Sequence, residues 1–231
     1  MGEQSGMKLM VLFTGGKDSS YALHVAYLSG HETVGLCYMQ PALRDSMLFH
    51  EQQLEVVSAL SKAYGLPLHV ARSVRDDHHS LKRALRECVS SFRRVEGVVV
   101  GAILSDYQRL RFLRASEDLG LWSYTPIWRK SQEAYMRELV AEGFTFIITK
   151  ISCYGLPLDY LGREIDESSV DRIVELARKH GFSPAFEGGE AETLVVKAPL
   201  MKKRLRVEGR AYRTGEFTGE FVVERVRLVD W

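Results

Sequence analysis

Short apolar runs alternate with longer amphipathic stretches through the first half of the chain. Four runs read as strands: Leu9 to Phe13, Thr33 to Tyr38, Leu66 to Val70 and Gly97 to Ile103. The stretches between and after them predict helices from Asp18 to Leu28, Leu48 to Tyr64, His79 to Arg93 and Ser105 to Leu119. In the second helix Gln53, Val57, Leu60 and Tyr64 fall on one face, as packing on a sheet requires, and Gly65 follows as a C-terminal cap. Strand and helix repeated in this way make βαβ units. The expected class is α/β with a Rossmann-like parallel sheet.

The texture changes from Trp122. Trp122 to Trp128 reads as an ordered connector containing Pro126, followed by a helix from Gln132 to Glu142 and an apolar strand from Phe144 to Ile148. A helix from Ser168 to His180 comes next, and the remainder reads as strands with turns at Gly209 and Gly215. That is a second, smaller α+β domain. The expected boundary gives domains 1–129 and 130–231, with no flexible linker between them.

Composition narrows the class without changing it. The chain has 231 residues, 45% of them hydrophobic, and 31 basic against 30 acidic side chains, so no long-range field favours nucleic acid or a membrane surface. The one basic cluster, Lys202, Lys203, Arg204 and Arg206, reads more readily as a solvated strand edge than as a docking patch. Cys37, Cys88 and Cys153 are an odd number with no close pairing, which fits a reducing compartment better than a disulfide scaffold. The N-terminal residues lack an apolar signal core and no run approaches the length of a membrane span. The expectation is a cytoplasmic protein with no membrane contact.

The strongest local signal is Thr14-Gly15-Gly16-Lys17-Asp18-Ser19-Ser20, directly after the first strand and opening the first helix. Two glycines let the backbone approach an anion closely, and a helix N-terminus offers N–H groups and a positive dipole end. Thr14, Ser19 and Ser20 add hydroxyls and Lys17 a charge. Asp18 either caps the helix or helps hold a magnesium ion that accompanies a nucleotide. An ordinary strand-to-helix turn explains the glycines and the cap, but not a lysine between them. The spacing is neither that of a Walker A loop nor GxGxxG.

This loop resembles the SGGxDS signature of PP-loop ATP pyrophosphatases, adenine nucleotide alpha hydrolase-like enzymes, with Thr14 in place of the first Ser. Further segments resemble one branch of them, the diphthine–ammonia ligases: Gly101 to Arg111, the run Glu187-Gly188-Gly189-Glu190-Ala191-Glu192-Thr193, Asp45 to His50, and Tyr154-Gly155-Leu156 with Leu161-Gly162. Ala191 departs from the pattern, which carries an aromatic residue there. The resemblance runs through almost the whole chain.

The residues themselves allow the chemistry. Gly101 ends a buried strand, where its backbone could approach an adenosine, and Tyr107 could stack there. Arg109 or Arg111 could offset phosphate charge, or both could belong to a solvated helix face. Glu187, Glu190 and Glu192 would repel one another unless neutralised by magnesium, ammonium or a quaternary ammonium group, or else form a solvated acidic turn. His50 could orient phosphate or move a proton, or be structural. Cys37 is assigned no chemistry, and His78-His79 reads as loop.

The resemblance implies a reaction. Diphthine, a modified histidine of translation elongation factor 2, becomes diphthamide with ATP and ammonium through an acyl-adenylate, releasing AMP and pyrophosphate. Magnesium is implied with ATP, and no direct nucleic-acid partner is expected. Lys17, Asp18, Glu187 and Glu190 are the implied catalytic residues, Asp18 also the metal ligand. Thr14, Gly15, Gly16, Lys17, Ser19, Ser20, Gly101, Tyr107 and Arg111 would bind nucleotide. His50, Gly188, Gly189, Glu192 and Thr193 would bind substrate. Another PP-loop enzyme, for example an RNA-modifying one, or a non-catalytic nucleotide sensor are the competing readings.

Overall fold

The computed structural model describes residues 6–42 and 52–231, and the chain divides into two compact units, Met1–Trp128 and Arg129–Trp231. Elements of the first are β1 (Lys8–Leu12), α1 (Lys17–Leu28), β2 (Glu32–Pro41), α2 (Leu54–Tyr64), β3 (Leu68–Val74), α3 (His78–Ser90), β4 (Gly97–Val99), α4 (Asp106–Glu117) and β5 (Trp122–Tyr124). The five strands form one parallel sheet in the order β3-β2-β1-β4-β5. Strand order therefore reverses at β1, between β2 and β4. In open α/β sheets a ligand crevice lies at the strand carboxyl ends beside such a switch point.

Both faces of this sheet are covered. Met10, Cys37 and Val98 pack with Leu81, Leu85 and Cys88 of α3 and with Phe112 and Ala115 of α4. Leu9, Val11, Leu36 and Tyr38 alternate with them along the strands, and Leu23, Val57 and Leu60 of α1 and α2 are likewise buried. Burying one such side chain stabilises the fold by roughly 1.5–3 kcal/mol.

Several elements differ from their sequence expectation. Trp122–Tyr124 is a strand rather than a connector, because its backbone pairs with Gly97–Val99. The expected fourth strand is shorter than its apolar run: Val100 N–H still donates to the Tyr124 carbonyl at 2.8 Å, but at Gly101 the chain rests on α1. Gln53 is an extended N-cap and not part of a helical face. Tyr38 explains this: its hydroxyl accepts from the Gln52 N–H and donates to the Gln52 carbonyl, at 2.8 and 3.0 Å, pinning that residue to β2. His78 opens α3 instead of lying in a loop, with Asp77 as the cap accepting from Ser80 N–H.

The second unit contains α5 (Gln132–Ala141), β6 (Thr145–Ser152), a 3₁₀ turn (Leu158–Tyr160), β7 (Glu164–Ile165), α6 (Glu167–His180), β8 (Ala191–Lys197), β9 (Arg204–Arg213) and β10 (Thr218–Val229). β6 is the hub of an antiparallel sheet, pairing with β7, β8 and β10, while β9 extends the sheet along β10. Phe146 and Ile148 of β6, Leu194 of β8, Leu139 of α5 and Ile173 of α6 are wholly buried. Asp166 caps α6 by accepting from Ser169 N–H at 2.8 Å; the Ser169 hydroxyl, then this N–H and the Ser168 hydroxyl, hold its carboxyl down at about 2. Gly209 is not a turn. It sits inside β9, where a Cβ would lie 2.8 Å from the Phe221 ring and 2.2 Å from the Val222 carbonyl oxygen. Gly215 does lie in the β9–β10 turn, its N–H donating to the Thr218 carbonyl. Among the described residues no helix is long and apolar enough to cross a membrane.

The cysteine expectation is corrected. Cys37 of β2 and Cys88 of α3 are disulfide-bonded with their Cα atoms 5.8 Å apart, although 51 positions separate them in sequence. They meet because α3 packs on the sheet face that carries Cys37, and the cysteine argument for a reducing compartment falls with this pairing. Cys153 is free. Closing a loop of this size stabilises by about 4 kcal/mol in the chain-entropy account. Alkylation of the unfolded protein should mark one cysteine without reductant and all three with it, and reduction should lower the melting temperature. Three reactive thiols before reduction would contradict the bridge.

Candidate active site

After Leu12 the chain turns through Thr14, Gly15 and Gly16 into α1 at the carboxyl end of the central strand. The Phe13 N–H donates to the Cys37 carbonyl at 2.9 Å, so pairing with β2 continues up to the loop itself. Gly15 has φ of 80°, the left-handed region that strains residues with a side chain. Gly16 is the N-cap and supplies no side-chain cap, which leaves the positive end of the α1 dipole uncovered by that residue.

The loop is braced from within. Ser19 Oγ accepts from the Thr14 N–H at 3.3 Å, lies 3.2 Å from Thr14 Oγ1, and is within 3.2 Å of the Gly16 carbonyl. Ser20 is wholly buried, and its hydroxyl neighbours the phenol of Tyr64 on α2. Burial pushes that phenol well above the ordinary tyrosine range, with Ser20 pulling weakly the other way. Ser20 thus faces the core beneath the loop.

Lys17 is 2% exposed, and its ammonium lies 2.8 Å from both carboxylate oxygens of Asp18. Asp18 is more open, with 28% of its side chain exposed. An ion pair held at the mouth of a helix N-terminus presents both charge signs at one point.

Gly101 fixes where this turn of helix sits. A Cβ on Gly101 would lie 2.8 Å from the carbonyl carbon and oxygen of Asp18 and from the amide nitrogen of Ser19. Only a residue without a side chain lets the chain after β4 rest on the α1 backbone. Four residues further on, Ser105 caps the start of α4. Arg111 lies over the Tyr107 ring at 4.1 Å and donates to the Asp76 carbonyl at 3.0 Å, tying α4 to the loop after β3. Arg109 lies over Trp128 at 4.6 Å and pairs with Asp106 at 3.2 Å. Both arginines therefore have structural employment, and Tyr107 is 37% exposed. His50, with the rest of Asp45 to His50, lies outside the described residues.

The acidic run belongs to the second unit. Glu187, Gly188 and Gly189 form the approach to β8, with Phe186 and Gly189 at φ of 63° and 82°. Glu190 organises the approach: one carboxylate oxygen accepts from Ser183 N–H at 2.9 Å, the other from Gly188 N–H at 2.8 Å. Its own carbonyl accepts from Ser152 N–H at 2.7 Å, which brings Cys153 alongside; burial, and to a lesser extent the Glu190 charge, raise that thiol's pKa. Glu192 on β8 stands opposite Lys150 of β6, 3.6 Å from its ammonium, and Thr193 pairs with Ile148.

Two participants carried no sequence signal. Gln132 accepts from the Ser183 hydroxyl and from the Ala185 N–H, and Ser183 Oγ accepts from Glu187 N–H. A glutamine at the start of a helix is ordinary, so only the fold shows what it holds.

The parallel sheet, its switch point and the helices on both faces define the first unit as a Rossmann-like α/β domain. Family matches then narrow this class. The diphthamide synthase N-terminal domain matches residues 7–123 and the diphthamide synthase C-terminal domain residues 131–229. A diphthine–ammonia ligase of Homo sapiens is 30% identical over 224 residues, 87% of this chain and 83% of the human protein. One of Danio rerio is 32% identical over 223 residues, covering 87% of each. One of Schizosaccharomyces pombe is 32% identical over 217 residues, which are 86% of this chain but 36% of that longer protein. The chain belongs to the diphthamide synthase family. A solved structure, of a predicted subunit of tRNA methyltransferase from Methanocaldococcus jannaschii, is similar at a TM-score of 0.39 and 15% identity over 86% of this chain and 99% of that one, too distant to support an argument.

Gly101→Ala forces Cβ against backbone that cannot swing aside. It should destabilise the protein by about 1–3 kcal/mol and weaken binding of a non-hydrolysable ATP analogue by roughly tenfold or more. Denaturant unfolding and a titration check this, and unchanged values in both would remove Gly101 from the account.

Proposed function

We propose that this protein is an ATP-dependent diphthine–ammonia ligase acting on translation elongation factor 2. The observation that carries the proposal is the Thr14–Ser20 loop, with its buried Lys17, at the switch point of a chain whose two halves match the two diphthamide synthase domains. The relatives' name supports the reaction class.

In this reading Gly15, Gly16 and the N-terminus of α1 receive the phosphates, with Thr14 and Ser19 shaping the loop. Lys17 turns from Asp18 to phosphate. Asp18 would then help hold a magnesium ion, which needs only one or two protein carboxylates. Asp18 suits that sparse demand by its position and partial exposure. The described residues contain no group of three His, Cys, Asp or Glu side chains able to form a dedicated metal cage. Bound magnesium would offset phosphate charge. Gly101 holds the end of β4 against the first turn of α1, Tyr107 offers a face for the nucleoside, and Arg111 holds that face in place.

The substrate carboxylate attacks the α-phosphorus, displacing pyrophosphate, and ammonia displaces AMP from the resulting acyl-adenylate. The protein's contribution is charge compensation and alignment. Glu187 and Glu192 attract ammonium and the quaternary ammonium of diphthine. Gly188, Gly189 and Thr193 shape the turn around them, and Glu190 keeps the turn rigid through its two backbone bonds. His50 is assigned to the substrate side on the family's pattern. A cytoplasmic setting accords with an elongation-factor substrate.

The test is AMP and pyrophosphate formation from ATP, magnesium and ammonium, with and without elongation factor 2 carrying diphthine. Both products should form in equal amounts only with the factor. Lys17→Met and Asp18→Asn should each lower the rate by on the order of 10²–10³-fold, and Asp18→Asn, which takes the carboxylate from the buried Lys17 ammonium, should also lower the melting temperature. ATP binding without turnover would point to a nucleotide sensor, and turnover with a different acceptor to another PP-loop enzyme.

A further inference from the structure

β9 and β10 form a long two-stranded ribbon with one face partly buried and the other exposed along most of its length. Leu205, Gly219 and Val223 are buried on one face. On the other, β9 presents Arg204, Arg206, Glu208, Arg210 and Tyr212, while β10 presents Glu220, Val222, Arg225 and Arg227. Glu224 lies in the bulge between Val223 and Arg225 and pairs with Arg210 at 3.2 Å. Arg204 is paired with Glu164. Arg206 stands directly opposite Arg227 in the ladder, both exposed, and among the described residues neither has an ion-pair partner.

Like charges directly opposite one another on adjacent strands destabilise a sheet. Protecting an edge from aggregation needs charge, but not this pairing, since a glutamate at either position would protect as well. The arrangement is explained by a partner whose negative charge falls between the two guanidinium groups. Tyr212 and Val222, 48% and 42% exposed, extend the same face with apolar area. Arginine and tyrosine are among the residues enriched at protein interfaces. Glu208, Glu220 and Glu224 interrupt the basic surface, and the whole chain carries a net charge of only +1, a poor match to a continuous phosphate backbone.

We propose that the outward face of the β9–β10 ribbon, centred on Arg206 and Arg227, is the docking surface for an acidic patch on the protein substrate. It rests on the ligase reading above for the identity of that substrate. The ribbon recognises the body of the protein, apart from the chemistry at the modified side chain, so it acts on association and not on the bond-forming step. Charge at such a surface chiefly accelerates encounter and makes it salt-dependent.

The experiment measures binding of the full chain to elongation factor 2 carrying diphthine at low and high salt, beside amide formation by the unaltered protein. The doubly substituted Arg206→Glu, Arg227→Glu protein should bind at least ~10-fold more weakly at low salt, with a flatter salt dependence, and bind an ATP analogue as before. Arg206→Glu alone places opposite charges across the ladder. It should raise the melting temperature while weakening binding, opposite signs that a merely structural role would not produce.

Unchanged binding in the double variant overturns the docking surface, as does weaker binding accompanied by a lower melting temperature in both Arg206→Glu and Arg227→Glu. Loss of binding to a mixed-sequence RNA hairpin, with binding to the factor intact, overturns it in favour of nucleic acid. Amide formation by the unaltered protein alongside unchanged binding by the variant leaves the ligase reading standing. Arginine-dependent binding without amide formation leaves the docking surface and removes the ligase reading.

Discussion

Backbone rests directly on backbone where Gly101 meets the first turn of α1, and the candidate nucleotide site depends on that contact. No side chain fits between them, so the end of β4 and the start of α1 are held at a fixed separation. The loop before α1 is fixed from the other side by the Phe13 N–H bond to the Cys37 carbonyl. Thr14 and Ser19 then close it internally. A rigid loop at the β1–β4 switch point is what electrostatic preorganisation requires: donors set in advance and no reorganisation needed as charge develops.

Electrostatics in the two units follow different designs. In the first, Lys17 is buried against Asp18, an arrangement that removes an ammonium from water and offsets that cost with a carboxylate at 2.8 Å. In the second, Glu190 is committed to two backbone N–H groups and shapes the turn, while Glu192 is matched to Lys150 across the ladder. Three carboxylates in seven residues are thus not equivalent. The proposed positioning role for Glu190 follows from its two backbone bonds, while cation recognition by Glu187 and Glu192 is proposed on the family's pattern.

The α/β half was legible because a strand covered on both faces is a continuous apolar run, and Leu9 to Phe13 or Thr33 to Tyr38 cannot be mistaken for surface. β5 was not, since three edge residues with Trp122 44% exposed look like a connector, and only their ladder with β4 makes them a strand. Gly209 read as a turn because glycine usually marks one, whereas its reason is the Phe221 ring across the ribbon. The Cys37–Cys88 pair has no motif and depends wholly on α3 lying over β2. At the candidate site, the loop was readable from local chemistry. Arg109 and Arg111 were ambiguous because their partners, Trp128 and Asp76, are distant in sequence, and Gln132 carried no signal.

In the proposed reaction the loop serves to transfer an adenylyl group to a carboxylate. The direct measurement is the fate of oxygen-18 placed in the diphthine carboxylate of elongation factor 2 during turnover with ATP and ammonium. Adenylation makes a bond between that oxygen and the α-phosphorus, and ammonia then breaks the bond from carbon to the same oxygen, so one label should appear in AMP for each amide formed. Label found in inorganic phosphate, or AMP formed without label, would contradict the account.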